Sequence, residues 1–212
     1  TERCKYLACF FDAISVREES GILLCKKYLH VNAEHVLDPT FLLERKDYEY
    51  LIDNASTTPS EGQVFIHFLD KSPDKIKLVD KIAKVNKWKS FEVNSKVDEH
   101  ELNSPIEQRI QPPVEQWLRA LKEAQFVVTD SFHATVFSII FNKPFIVYVN
   151  KGRGAARFNS LLKLFGLENR LVYNSNDFDN FSINKIDYEQ INAKVVEIRK
   201  KSLNFLEKGL NY

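Results

Sequence analysis

Arginine, histidine and aspartate recur in this chain where an apolar, strand-like run gives way to a helix or a loop. Arg17 follows Asp12-Ala-Ile-Ser-Val16, and Asp38 follows Glu34-His-Val-Leu37. Asp130-Ser131-Phe132-His133 follows Phe126-Val-Val-Thr129, while Lys151, Arg153 and Arg157 follow Pro144-Phe-Ile-Val-Tyr-Val149. A guanidinium grips carboxylate or phosphate with two parallel N–H bonds. A histidine moves protons near neutral pH. Ser131 is placed as the N-cap of a helix running to Phe141, so the helix has no acceptors for the amides of its first turn. Such a start suits an anion, and His133 lies in that turn. The chemistry these residue types can do is anion binding combined with proton transfer.

Each of them also has a purely structural reading. His133 sits in a helix with Val136, Phe137 and Ile140 and is equally a buried core histidine bonded to a backbone carbonyl. Arg17 is also a strand end with a solvated ion pair. Arg153 and Arg157 are also a surface charge cluster, and Asp38 before Pro39 is also a turn cap. Gly152 and Gly154 beside Arg153 favour a loop that approaches something closely, on weak evidence. What joins the set is a single sheet edge.

The elements that create that edge are legible. Short strands are expected at 12–16, 34–37, 63–69, 91–94, 126–129 and 144–149. Helices are expected at 19–28, 47–54, from Ser72-Pro73-Asp74 onward, 114–124, 131–141, 158–165 and 187–206. In the helix after Ser72, Ile76, Val79, Ile82 and Ala83 keep helical spacing. Gly166 stops the 158–165 helix, and the polar stretch 95–111 belongs on the surface. Strands alternating with helices imply right-handed crossovers and a doubly wound, Rossmann-like α/β domain with a mostly parallel sheet. In such sheets, ligands bind outside the carboxyl ends of the strands. That is where Arg17, Asp38, Asn94, the 130–133 step and the 150–157 loop fall.

Composition narrows the classes. The 212 residues are 44% hydrophobic and 28% charged, with a net charge of +1. That balance gives no reason to expect nucleic acid or an anionic membrane as partner. No apolar run approaches a membrane span. Cys4, Cys9 and Cys25 read as reduced, buried thiols. The five histidines are too scattered for a zinc site, so no metal is expected. The chain has no Met, and residues 1–10 read as the end of a helix continuing from an earlier domain, with 11–212 as the Rossmann-like domain.

Several stretches together resemble the polysaccharide pyruvyl transferase family. They are Phe11-Asp-Ala-Ile-Ser-Val-Arg-Glu-Glu-Ser-Gly21, His35-Val-Leu-Asp-Pro-Thr-Phe-Leu-Leu43 and Val127-Val-Thr-Asp-Ser-Phe-His-Ala-Thr-Val-Phe-Ser-Ile-Ile-Phe-Asn-Lys-Pro-Phe145. Arg153, Arg157-Phe-Asn-Ser-Leu-Leu162 and Gly166-Leu-Glu-Asn-Arg170 follow in the family's order. The resemblance implies the C-terminal domain of a glycosyltransferase-B type fold, with an N-terminal domain missing from this chain. It implies phosphoenolpyruvate as donor, a saccharide acceptor, no further cofactor, and work in the cytoplasm or at the inner membrane face of a bacterium making exopolysaccharide. In the family, the Arg of Ser-Val-Arg and the His of the strand-to-helix turn serve the donor; they map to Arg17 and His133. Many members carry Arg-Leu-His where this chain has Ser131-Phe132-His133, so Arg153 or Arg157 is expected to replace the missing charge. Ala134 stands where Gly is common.

On that resemblance, Arg17 and the amides after Ser131 hold one anionic group of the donor, and Arg153 and Arg157 hold the other. Phe132 and Lys151 complete the substrate-binding set. His133 is the acid, and Asp38 or Asp130 orients it or takes a hydroxyl proton. The rivals are a nucleotide-sugar glycosyltransferase half and a non-catalytic module of the same fold.

Overall fold

A computed structural model of the chain describes residues 2–95, 103–149, 155–180 and 186–210. Along the chain run α1 (Glu2–Ala8), β1 (Ser15–Val16), α2 (Glu19–Leu24), β2 (Glu34–His35), α3 (Arg45–Asp53) and β3 (Val64–His67). Then come α4 (Pro73–Asn86), β4 (Ser90–Glu92), α5 (Ile106–Arg109), α6 (Val114–Glu123), β5 (Phe126–Thr129) and α7 (Phe132–Ile140). Last are β6 (Phe145–Tyr148), α8 (Ala156–Phe165), β7 (Leu171–Val172) and α9 (Tyr188–Leu210). They form two compact units, the first from residues 1–43, 150–170 and 186–212, the second from 44–149 and 171–185.

In the second unit five strands lie in the order β4-β3-β5-β6-β7, all parallel. Alternate side chains go to opposite faces. Val64, Ile66, Phe126, Val128 and Ile146 meet Leu78, Val79 and Ile82 of α4 in one core. On the other face Phe65 and His67 lead to Trp117 of α6, and Trp117 stands edge-on to Phe137 of α7 at 5.3 Å. The helices thus switch faces where the strand order reverses, between β3 and β5, as right-handed crossovers require. This is the doubly wound parallel architecture that the alternating pattern predicts, but β1 and β2 are not strands of this sheet, so Arg17 and Asp38 do not lie on the single sheet edge the pattern implies.

The helix starts are set locally. Ser72 accepts a bond from the Lys75 amide, and Pro73 occupies the first helical position of α4. Asp74, in the first turn, accepts from the Tyr148 hydroxyl at 2.8 Å and from the Ser175 hydroxyl at 2.6 Å. Burial and that bond push the Tyr148 phenol up to about 12.

In the first unit β1 and β2 make a separate two-stranded parallel sheet, Ser15 opposite Glu34 and Val16 opposite His35. The residues after these strands are held by α9. The Leu37 amide donates to Ser202 Oγ at 3.0 Å, and Arg199 Nε donates to the Phe41 carbonyl at 2.6 Å. Helix α8 ends at Gly166, whose φ of +67° is the left-handed value glycine adopts without strain.

Several expectations need correction. The stretch read as one helix from 19 to 28 becomes π-helical at Cys25–Leu29. The buried stripe of α4 is Lys75, Leu78, Val79 and Ile82, while Ile76 is exposed. Cys4 and Cys9 are exposed and Cys25 is half-buried, where the sequence reads all three as buried; α1 buries only Ala8. Strand β7 is too short to leave a pattern in the sequence.

Candidate functional site

In the second unit the site grows from the step between β5 and α7. Thr129 ends β5 opposite His67 of β3. Its hydroxyl donates to the His67 carbonyl at 2.6 Å and accepts from the Ser131 amide at 2.9 Å. The Ser131 hydroxyl caps α7 by accepting from the Ala134 amide, as the sequence predicts. Phe132 is buried, and its ring meets the His133 ring at 5.6 Å. His133 itself is exposed on the first turn, so of its two readings the buried core histidine is the one the structure removes.

Asp130 lies at the same step but faces inward. Its carboxylate accepts from the Leu69 amide at 2.6 Å, from the Asp70 amide at 3.2 Å and from Lys75 Nζ at 2.5 Å. Both side chains of the Lys75–Asp130 pair are buried, 4% and 0% exposed. Lys75 Nζ also donates to the Asp70 carbonyl and stands over the rings of Phe68 and Tyr148. These bonds fix the 130–133 turn against α4, so the geometry gives Asp130 a positioning part. Sequence reasoning missed Lys75. The signal was a lysine at the first place of an i, i+3, i+4, i+7 stripe that is otherwise apolar.

His67 was also passed over as one scattered histidine. It ends β3 at the switch point, half-buried, and its Nδ1 accepts from the Trp117 indole at 3.2 Å. Burial lowers its pKa, against the opposing pull of the Asp130 and Glu92 carboxylates.

In the first unit the structure brings Arg17 and Asp38 together. Parallel pairing of β1 with β2 sets their ends side by side, and Arg17 Nη1 meets Asp38 Oδ2 at 2.7 Å. Asp38 is 3% exposed and Arg17 is 35% exposed, so the guanidinium is held from within and presented outward. Asp38 Oδ1 meanwhile accepts from the Thr40 amide and hydroxyl, capping the 3-10 turn Pro39–Leu42. Next to Arg17, Glu18 has a buried carboxylate oxygen that the described residues leave without a hydrogen bond. The Glu19 amide donates to Ser160 Oγ of α8 at 3.0 Å. Arg157 is half-buried on α8, three residues before Ser160. Lys151 and Arg153 lie outside the described residues. Arg170, which ends the last stretch quoted for the resemblance, is buried, and desolvation lowers its pKa against the pull of Tyr188.

Among the described residues no three His, Cys, Asp or Glu side chains gather into a group that would hold a metal ion. None of the described helices is long and apolar enough to cross a membrane.

Five parallel strands, helices that change face at a switch point and a capped helix start at the carboxyl edge define a doubly wound α/β domain of the kind that binds ligands there. The chain belongs to the polysaccharide pyruvyl transferase family, a family of transferases, whose profile matches residues 2–152, more than half of its length. No curated protein matched the sequence. Among solved structures it is similar to one titled "Crystal Structure Analysis of the Glycotransferase of kitacinnamycin", at 14% identity and a TM-score of 0.35. The match covers 69% of this chain, and the chain spans 37% of the length of that structure.

Proposed function

We propose that the chain is the donor-binding part of an enzyme that moves the pyruvyl group of phosphoenolpyruvate onto two hydroxyls of a sugar as a ketal, releasing phosphate. The observation that carries this is the family match together with an outward-held arginine at the Ser-Val-Arg stretch and an exposed histidine at a capped helix start. Phosphoenolpyruvate carries a carboxylate and a phosphate. Arg17, aimed by Asp38, and Arg157 are the cations proposed for such groups. The proposed proton donor is His133, on the first turn of α7.

The reaction balances as follows. A proton goes from the His133 imidazolium to the methylene carbon, and the adjacent carbon becomes the electrophile. One sugar hydroxyl adds there. The second adds as the C–O bond to phosphate breaks, and the phosphate leaves with its electron pair. One hydroxyl proton restores His133, and the other leaves on phosphate. The donor brings its own leaving group, and the arginines offset its charge, so the proposed route uses no metal or organic cofactor.

The test is calorimetric titration of the chain with phosphoenolpyruvate and, separately, with a UDP-sugar. Binding of phosphoenolpyruvate that Arg17→Ala weakens at least about tenfold, the loss of one charge-assisted contact, is the expected result. Binding of the UDP-sugar alone would overturn the proposal in favour of glycosyl transfer.

A further inference from the structure

A cavity of about 280 Å³ opens in the second unit at the carboxyl ends of β3 and β4. Pro112, Val114 and the Trp117 indole give it apolar surface, and His67, Asn94 and Gln111 give it polar atoms. None of these residues belongs to the donor machinery assigned above. We infer that this cavity binds a neutral pyranose ring of the acceptor saccharide, an assignment that rests on the proposed pyruvyl transfer and adds to it where the acceptor is gripped.

The chemistry of the lining selects the ligand. An indole N–H only donates, so His67 Nδ1, which receives it, carries no proton. The ring is therefore in the tautomer whose one donor is Nε2–H. Asn94 Nδ2 donates to Glu92 Oε2 at 2.8 Å, which fixes the amide with Oδ1 as its acceptor end. Glu92 is itself neutralised by Lys71 at 2.7 Å. Gln111 is spent on the wall, accepting from the Ser95 amide and donating to the Ser95 hydroxyl. The described lining residues thus offer the His67 Nε2–H and the remaining amide N–H bonds as donors, Asn94 Oδ1 as an acceptor, an indole and aliphatic surface, with no cation among them. A phosphate or carboxylate entering here would lose its hydration and gain no counter-charge from these residues. A sugar ring meets the same surface with C–H groups and its hydroxyls meet the donor and acceptor, the usual make-up of a small-molecule site.

The cavity also stands at the right place for an acceptor. Its Trp117 wall is 5.3 Å from the ring of Phe137. Phe137 is four residues after His133, on the same face of α7, about 6 Å along the helix axis. A saccharide held at Trp117 therefore extends toward the proposed acid within the same unit.

The chain has two tryptophans, Trp88 and Trp117, so the indole N–H signals in a nitrogen-15 spectrum give a site and an internal control. The probes are methyl β-glucopyranoside, methyl β-galactopyranoside and methyl α-mannopyranoside, each alone, then phosphoenolpyruvate and UDP. The expected result is a saturable shift of the Trp117 signal with at least one glycoside, with Trp88 unmoved and neither anion reproducing it. Val114 is mostly exposed, so Val114→Tyr fills the cavity without disturbing the core, and it should weaken that binding about tenfold or more. If no glycoside moves Trp117, or if UDP does so in their place, the assignment falls. Following the His133 ring signals in the phosphoenolpyruvate titration separates the two proposals. A donor shift without a glycoside shift removes only the cavity assignment, and a glycoside shift without a donor shift removes the pyruvyl-transfer function.

Discussion

Arg17 owes its direction to a neighbour that the solvent barely reaches. Asp38 spends one oxygen on the guanidinium and the other on Thr40, so it aims the arginine while closing the turn that follows β2. Asp38→Asn keeps the shape but removes the charge. It should lower the affinity for phosphoenolpyruvate about tenfold, since a hydrogen bond to a charged group contributes about 1.5–3 kcal/mol. Calorimetry of the variant, with circular dichroism to show an intact fold, checks this; unchanged affinity would detach Asp38 from the site. At this scale the sequence was informative about residue types and blind to direction. Arg17, Asp38 and His133 were all visible as candidates. Whether Asp130 faced a ligand or the interior was not, because its partner Lys75 is 55 residues away and looks like any helix-surface lysine. Glu18 and His67 were hidden for the same reason: burial is a property of what packs around a residue, which no local pattern records.

Among the elements, α4 and the β5–α7 step are the pair that sets the site. Lys75→Met leaves Asp130 as a buried carboxylate without its cation, at a cost of about 3–5 kcal/mol. The double variant Lys75→Met/Asp130→Asn should recover much of that loss, because an amide oxygen still accepts from the Leu69 amide without needing a counter-charge. Denaturant unfolding of the single and double variants decides it; additive losses would mean that the two groups do not interact. Elements with strong period or strong caps were readable. Phe126–Thr129, Ser131 as a cap and Gly166 as a stop all emerge from residue type alone. Those set by tertiary context were not. Strands β1 and β2 fall inside stretches the sequence marks as strands, but their pairing into a separate small sheet was not readable, and β7, two residues long, leaves no periodic trace.

At the scale of the whole molecule, pH is the variable that couples the site to stability. Burial holds the His67 imidazole below its ordinary value, and Asp130 and Glu92 only partly offset it. In the unfolded chain this ring takes up a proton near pH 6.5; in the folded chain it does so only at lower pH. The unfolded state then binds more protons, so the contribution of His67 is complete above about pH 6.5 and is lost as pH falls toward the folded value. The melting temperature should therefore fall between about pH 7 and about pH 5, and His67→Gln should flatten that slope. An identical slope in the variant would assign the acid sensitivity elsewhere. The net charge of +1 gives no reason to expect nucleic acid or an anionic membrane as partner, and a nearly neutral chain can still place cations locally, as the proposed roles of Arg17 and Arg157 require.

The Lys75–Asp130 pair bears on how the second unit assembles. Helix α4 can lay its apolar stripe on β3 early, since the two are neighbours in sequence, but that stripe begins with an ammonium group whose carboxylate arrives only with β5. Until then α4 must either keep its first turn in water or bury a lone cation. A β3–α4–β4 half on its own would leave that ammonium group without its carboxylate, so the sheet is expected to close together with β5 rather than in halves.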